Sequence, residues 1–218
     1  MKRIRIAIDG PAASGKSTVA RKVAERLSFS YVDTGAMYRA LALKVHLKNV
    51  DPSDTVLLRR EILDKTSFGT CNNELLIDSN PLDSRIRTEE ISRLSSLIAQ
   101  IPEVRAYMKK EQRKLAKDGR VVMEGRDIGT VILPDAEIKV SLTASPEERA
   151  RRRVNQLQQM GQEAEDTQVM REIQQRDLND STRDLAPLRP APDAATVDTT
   201  HMTIDEIVDD IVERVSAE

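Results

Sequence analysis

Ile4 to Ile8 form a short run rich in β-branched residues that stops at Asp9-Gly10-Pro11. After a Gly/Ala/Ser loop, apolar residues recur with helical period from Lys16 to Leu27. The pattern predicts strand, loop, helix. Tyr31-Val32-Asp33 reads as a second strand, and Thr34-Gly35 opens a helix to about Lys48 with Met37, Leu41 and Val45 on one face. A helix is expected near 54–65, and then residues 67–83 change character. Asn72-Asn73 is a turn signal, and Glu74 to Asp78 looks like a hairpin strand ending at Asn80-Pro81, so a small inserted β unit is expected. Thr88 is placed to cap a helix reaching about Gln100, and Pro102 to start one reaching about Lys117. Strands follow at Val121–Glu124 and Glu137–Thr143. Ser145-Pro146-Glu147-Glu148 then reads as an N-cap with Pro at the first helical position and Glu at the third. That helix is rich in arginine and is interrupted at Gly161. A second polar helix at about 164–179, a loop marked by Pro187, Pro190 and Pro192, a strand at Ala195–Asp198 and a helix at Ile204–Val215 complete the chain. The alternation points to an α/β protein built on a parallel sheet.

Composition narrows the function classes. At 218 residues with 39% hydrophobic and 32% charged content, the chain reads as one soluble domain, with or without an insertion. A net charge of −2 and 2% aromatic residues without Trp offer neither the basic surface nor the stacking platforms that nucleic acid attracts. Cys71 is the single cysteine, which excludes an internal disulfide and suits a reducing compartment. The N-terminal apolar stretch is too short for a signal peptide and no segment approaches a membrane span, so a cytoplasmic protein is expected.

Gly10-Pro11-Ala12-Ala13-Ser14-Gly15-Lys16-Ser17, followed by Thr18, satisfies G-x-x-x-x-G-K-[ST] between an expected strand and an expected helix. The glycines let backbone N–H groups turn around phosphate oxygens, the helix N-terminus adds its positive end, Lys16 reaches the β- and γ-phosphates, and Ser17 ligates Mg²⁺. A nucleoside triphosphate is the implied ligand. The guanine-reading N-K-x-D and the D-x-x-G of GTPases are both missing, and motor or transporter ATPases need a longer chain. Small-molecule kinases remain, with a nucleotide-binding regulator as the reading from another class.

Arg149, Arg152 and Arg153 fall near one face of the arginine-rich helix, with Arg151 beside them. Guanidinium groups there suit the charge of a transferring phosphoryl group, or equally a solvated face with pairs such as Glu148–Arg152. Glu124-Gly125-Arg126-Asp127 follows an apolar strand, where a carboxylate orients Mg²⁺ and an arginine grips an anion. His46 and His201 stand alone and read as structural or surface residues.

Four segments taken together carry a resemblance: Gly10 to Ser17; Asp33 to Arg39; Gly125 to Thr130 with Leu133 to Ala136; and Arg176-Asp177 through Asp180, Arg183 and Ala186-Pro187-Leu188. The chain resembles the bacterial cytidylate kinases, essentially end to end. The resemblance implies a single P-loop kinase domain over 1–218. Within it lie a monophosphate-binding region at about 34–100 that includes the β insertion, and a lid with flanking helices at about 145–185. It implies phosphoryl transfer from ATP to CMP or dCMP with Mg²⁺, by a monomer binding neither nucleic acid nor membrane. By motif, Thr34, Tyr38 and Arg39 line the acceptor pocket, and Arg39, Arg105 and Arg126 hold the acceptor phosphate. Ser96, Asp180 and Arg183 address cytosine and sugar. Lys16, Arg126, Asp127, Arg149 and Arg153 stand as the catalytic set, and Ser17, Asp33, Glu124 and Asp127 as the magnesium candidates. Glu124 departs from the Asp that some members carry.

Overall fold

Strands buried on both faces read as continuous apolar runs, and Arg5–Asp9 (β1) is one: Ile6, Ala7 and Ile8 are exposed by 1% or less. A computed structural model describes residues 3–71, 73–159, 161 and 163–217. After β1 the chain forms α1 (Lys16–Leu27), β2 (Ser30–Asp33), α2 (Thr34–Leu47), α3 (Thr55–Glu61), β3 (Phe68–Cys71), β4 (Glu74–Ile77) and β5 (Asn80–Pro81). It continues through α4 (Glu89–Ile98), α5 (Pro102–Leu115), β6 (Val121–Gly125), β7 (Ile138–Thr143), α6 (Pro146–Gln159), α7 (Asp166–Thr182), β8 (Ala195–Asp198) and α8 (Ile204–Ser216). Two compact units result: one made of the chain up to Phe29 and again from Arg120, the other of Ser30–Gly119.

The first unit holds a parallel sheet in the order β6-β1-β7-β8. Its register sets Asp9 level with Gly125 on one side and Ser141 on the other. The loops that leave β1 and β6 therefore start at the same carboxyl edge, where α/β sheets bind ligands. Helices α1 and α8 pack on each other, α1 against β6 and α8 against β7. Helices α6 and α7 form a separate apolar seam of Ala150, Val154, Val169 and Ile173, on which Ala13 also rests. The expected cap of α6 is half formed. Ser145 Oγ accepts the Glu148 N–H at 3.2 Å, but the Glu148 carboxylate turns to Arg151 and Arg152 instead of the Ser145 N–H, which donates to Thr200 Oγ1. Charge-assisted bonds one turn along the helix outcompete a neutral backbone donor.

In the second unit α2 starts from Asp33, whose side chain accepts the Ala36 N–H at 2.7 Å. Met37, Leu41 and Val45 are buried on it, and α2 packs against the Ile91, Ser95 and Ile98 face of α4. The helix expected over 54–65 stops at Glu61 and is followed by a 3₁₀ turn at Leu63–Lys65. The β insertion has three strands in the order β3-β4-β5, where the sequence pattern predicted a hairpin ending at Asn80-Pro81. Asp78 and Ser79 both take positive φ (51° and 64°), the signature of a two-residue turn that folds Asn80 back onto Ile77. Of the expected Asn72-Asn73 turn, Asn72 lies outside the described residues and Asn73 has φ 63°. Glu111 on α5 accepts the Phe68 N–H, and Tyr107 donates to Thr66 O at 2.6 Å, tying the insertion to that helix.

Candidate functional site

The loop from Gly10 to Gly15 joins β1 to α1, and its glycines are there for space and for backbone hand. A Cβ on Gly10 would lie 2.4 Å from the Leu142 carbonyl oxygen, and Gly15 has φ 88°. Helix α1 begins at Lys16 with no side chain capping it and no acidic residue in its first turn, leaving its N–H groups for an anion. Ala12 and Ser14 are buried, while Ser17 and Thr18 stand exposed on the first turn. Lys16 is buried, and its Nζ donates to Pro11 O at 3.1 Å, across the mouth of the loop. Ser17 Oγ donates to Glu124 Oε1 at 2.6 Å.

The β6 edge supplies the next groups. After Gly125 come Arg126 and Asp127, and then a wide helical turn, Ile128–Ile132, in which Ile132 N–H reaches back five residues to Asp127 O. Asp9 holds that turn by accepting the Ile128 and Gly129 N–H groups at 2.8 Å each. Arg126 Nε donates to Asp180 Oδ2 at 2.7 Å, and Arg183 lies 3.8 Å from Asp180 and 3.7 Å from Asp127. The segment after α7 is folded to present these groups. Leu188 N–H bonds Asp180 O at 2.7 Å and Arg183 Nε bonds Ala186 O, which explains the Ala186-Pro187-Leu188 spacing. Arg126, Asp127, Asp180 and Arg183 therefore come together in one network, although the sequence places them up to 57 residues apart.

The profile described as Cytidylate kinase matches residues 6–217. The chain belongs to the cytidylate kinase family. A protein named cytidylate kinase from Caldicellulosiruptor saccharolyticus is 46% identical over 98% of this chain and 96% of its own, and one of the same name from Pelotomaculum thermopropionicum is 48% identical over 97% and 96%. An uncharacterized protein from Eubacterium ventriosum shares the fold, with a TM-score of 0.56 at 14% identity and complete coverage of both chains. No helix among the described residues is long and apolar enough to cross a membrane.

Electrostatics sharpen the roles open to this cytidylate kinase network. Burial works against charge on Arg126, yet Asp180, Glu124 and Asp177 overcome it and raise its pKa. Burial likewise pushes Asp180 up, but Arg126, Arg176 and Arg183 hold it below the ordinary carboxylate range, so it is an ionised acceptor at neutral pH. Asp9 goes the other way. Burial pushes it up to about 6 against the pull of its two N–H bonds, with the charge of Asp127 adding to the rise. Folded Asp9 thus keeps a proton that unfolded Asp9 releases near 3.8. Between those values the native state binds more protons, so this group makes stability fall as pH rises from about 4 to about 6. Urea unfolding across that window should show this contribution in the parent chain and lack it in Asp9→Asn.

The arginine-rich helix divides its work. Arg149 is buried, and donates to Ala144 O, Ala12 O and Asp177; Arg152 donates to Ser14 O, Thr199 Oγ1, Thr199 O and Glu148. Arg153 bonds Gln156 and Arg151 bonds Glu148, so the predicted Glu148–Arg152 pair forms and a second arginine joins it. In the second unit Thr34, Tyr38 and Arg39 share the start of α2. Arg39 folds back over Gly35, where a Cβ would lie 3.1 Å from its Nη1, to reach Asp33 at 3.3 Å. Ser96 sits on α4 and bonds Ser92 O, and Arg105 reaches from α5 to Ala99 O at the end of α4. Asp33 accepts the Ala36 N–H with one oxygen as the α2 cap and pairs with Arg39 through the other. His46 pairs with Glu90 at the surface, as its isolation suggested.

Thr199 and Asp9 carried no role in the sequence pattern, and Asp177 stood in a motif segment without one. Asp9 had a usable cue, a carboxylate directly before the first glycine of the loop; Thr199 had none.

Proposed function

We propose that this protein transfers the γ-phosphoryl group of ATP to CMP or dCMP, as a cytoplasmic monomer that needs Mg²⁺ and binds neither nucleic acid nor membrane. The observation that carries the reading is the phosphate loop with Lys16 and Ser17 in the same unit as an ionised Asp180 flanked by Arg126 and Arg183. The relatives' shared name supports the cytosine nucleotide as acceptor.

The loop N–H groups and the α1 N-terminus hold the triphosphate, and Lys16 leaves Pro11 O for the β- and γ-phosphates. Mg²⁺, when bound, neutralises phosphate charge and aligns the transferring group. The donor set fits it. Ser17 and Glu124 offer a hydroxyl and a carboxylate 2.6 Å apart with Asp127 as a further carboxylate, and no cage of three or more His, Cys, Asp or Glu side chains occurs among the described residues. A cation that keeps waters and takes phosphate oxygens asks for few protein ligands. Arg126 binds the acceptor phosphate, the role the resemblance gives to Arg39 and Arg105 as well. Thr34, Tyr38 and Ser96 meet its sugar or base. Transfer then depends on positioning and charge more than on proton removal, since the attacking phosphate oxygen is already anionic.

Asp180 accepts from the exocyclic amine of cytosine and Arg183 donates toward its ring, so an analogue without that amine leaves buried groups unpaired. Coupled ADP release with CMP, dCMP, UMP, AMP and GMP tests the reading, and turnover led by CMP and dCMP is expected. Asp180→Ala should bring CMP and UMP within about three-fold of each other by removing the group that tells them apart. Turnover led by another monophosphate would leave the phosphate loop in place and overturn the cytosine assignment.

A further inference from the structure

One peptide group of the phosphate loop is held from both ends. The carbonyl of Pro11 accepts Lys16 Nζ at 3.1 Å, and the N–H of Ala12, on the same peptide plane, donates to Asp177 Oδ1 at 3.3 Å. The other oxygen of Asp177 takes Arg149 Nη1, and Arg149 Nη1 also donates to Ala12 O at 3.3 Å. The two backbone polar groups of Ala12 are therefore gripped by the two members of one ion pair, one from α6 and one from α7. Next to it, Ala13 has φ 58° and packs on the apolar seam between those helices. A non-glycine residue in left-handed backbone is held there only by its surroundings, and here these are the two helices.

We propose that Asp177 is a positioning residue for the ATP side of the reaction. It fixes the Pro11–Ala12 peptide whose carbonyl parks Lys16, and with Arg149 it makes the α6–α7 pair part of the phosphate loop. Arg149 then acts through the loop as well, with its Nε on Ala144 O and its Nη1 on Ala12 O and Asp177. Without Asp177 the Ala12 N–H loses its acceptor and the Pro11–Ala12 peptide is free to rotate, so the loop that receives the β- and γ-phosphates loses its preset shape. The effect falls on the partner that Lys16 touches, the β- and γ-phosphates, and not on the acceptor. This rests on the kinase reading above.

The test compares Asp177→Ala and Asp177→Asn with the parent chain in turnover, in direct titration with a fluorescent ATP analogue, and in thermal melting. Asp177→Ala should lower kcat about ten-fold and weaken the analogue about five-fold, the scale of one lost hydrogen bond between charged and backbone groups. KM for CMP should stay within two-fold, while the melting midpoint should fall by roughly 10 °C because buried Arg149 loses its carboxylate. Asp177→Asn keeps an acceptor oxygen for the Ala12 N–H and should recover most of the analogue affinity. An unchanged analogue affinity in Asp177→Ala overturns the proposal, as does a loss confined to KM for CMP, which would make Asp177 an acceptor-side group. The analogue titration needs no acceptor. A parent chain that turns over no monophosphate would therefore refute the kinase reading and still leave the role of Asp177 to be decided by its affinity.

Discussion

Lys16→Ala should lower kcat for CMP phosphorylation about a thousand-fold while the far-UV circular dichroism stays that of the parent chain. The size follows from what the ammonium does: it meets phosphate charge as that charge redistributes, inside a loop whose other donors are neutral N–H groups. Losing one preorganised donor of this kind costs about 10²–10³ in kcat, and the lost full charge places Lys16 at the upper end. The fold should tolerate the change, because the loop is also held by Gly10 against Leu142, by Ala13 on the α6–α7 seam, and by Arg149 and Asp177 on Ala12. Retained turnover would remove Lys16 from the phosphate site. A collapsed circular dichroism spectrum would make its contribution structural.

Arg126→Ala is the second large effect. The side chain is 16% exposed, donates to Asp180 at 2.7 Å and keeps that carboxylate ionised, so its removal strips the acceptor phosphate of a cation and unsettles the group assigned to cytosine. Leaving Asp180 without its buried partner costs about 3–5 kcal/mol of stability, and losing the cation from the acceptor phosphate should lower kcat/KM for CMP by about a hundred- to a thousand-fold. Arg183, 3.8 Å from Asp180, leaves the carboxylate with a neighbour, so the chain should remain folded with a lowered melting midpoint. Arg126→Lys restores charge without the Nε bond to Asp180 and should recover only part of the loss. Parent-like kcat/KM in Arg126→Ala would show that the acceptor phosphate is held elsewhere.

Much of the architecture could be read along the chain because its cues are local. The both-face burial of Ile6 to Ile8 follows from an apolar run, α2 and α4 start at the capping residues Asp33 and Thr88, and the phosphate loop is a spacing of glycines between a strand and a helix. The four motif segments likewise name Arg126, Asp127, Asp180 and Arg183 without any coordinates.

Pairing across distance was another matter. Nothing in the spacing says that Asp180 is the partner of Arg126, because the bond is made only when the α7 segment folds back through Leu188 N–H onto Asp180 O. The wide turn after Asp127 is invisible to periodicity, since its geometry depends on two N–H groups finding Asp9, which the sheet register sets beside Gly125. The third strand of the insertion was hidden because Asp78 and Ser79 are not the Asn-Gly pair that announces such a turn.

The sequence by itself determined the parallel-sheet kinase architecture, the phosphate loop and the family, because each is written in contiguous residues whose local preferences and spacings suffice. Only the tertiary structure decided which arginine serves which carboxylate, that Asp33 caps α2 and pairs with Arg39, and that Asp177 and Arg149 grip Ala12. Those are choices among many like-charged candidates, and distance and burial, which a linear order of residues does not encode, select among them.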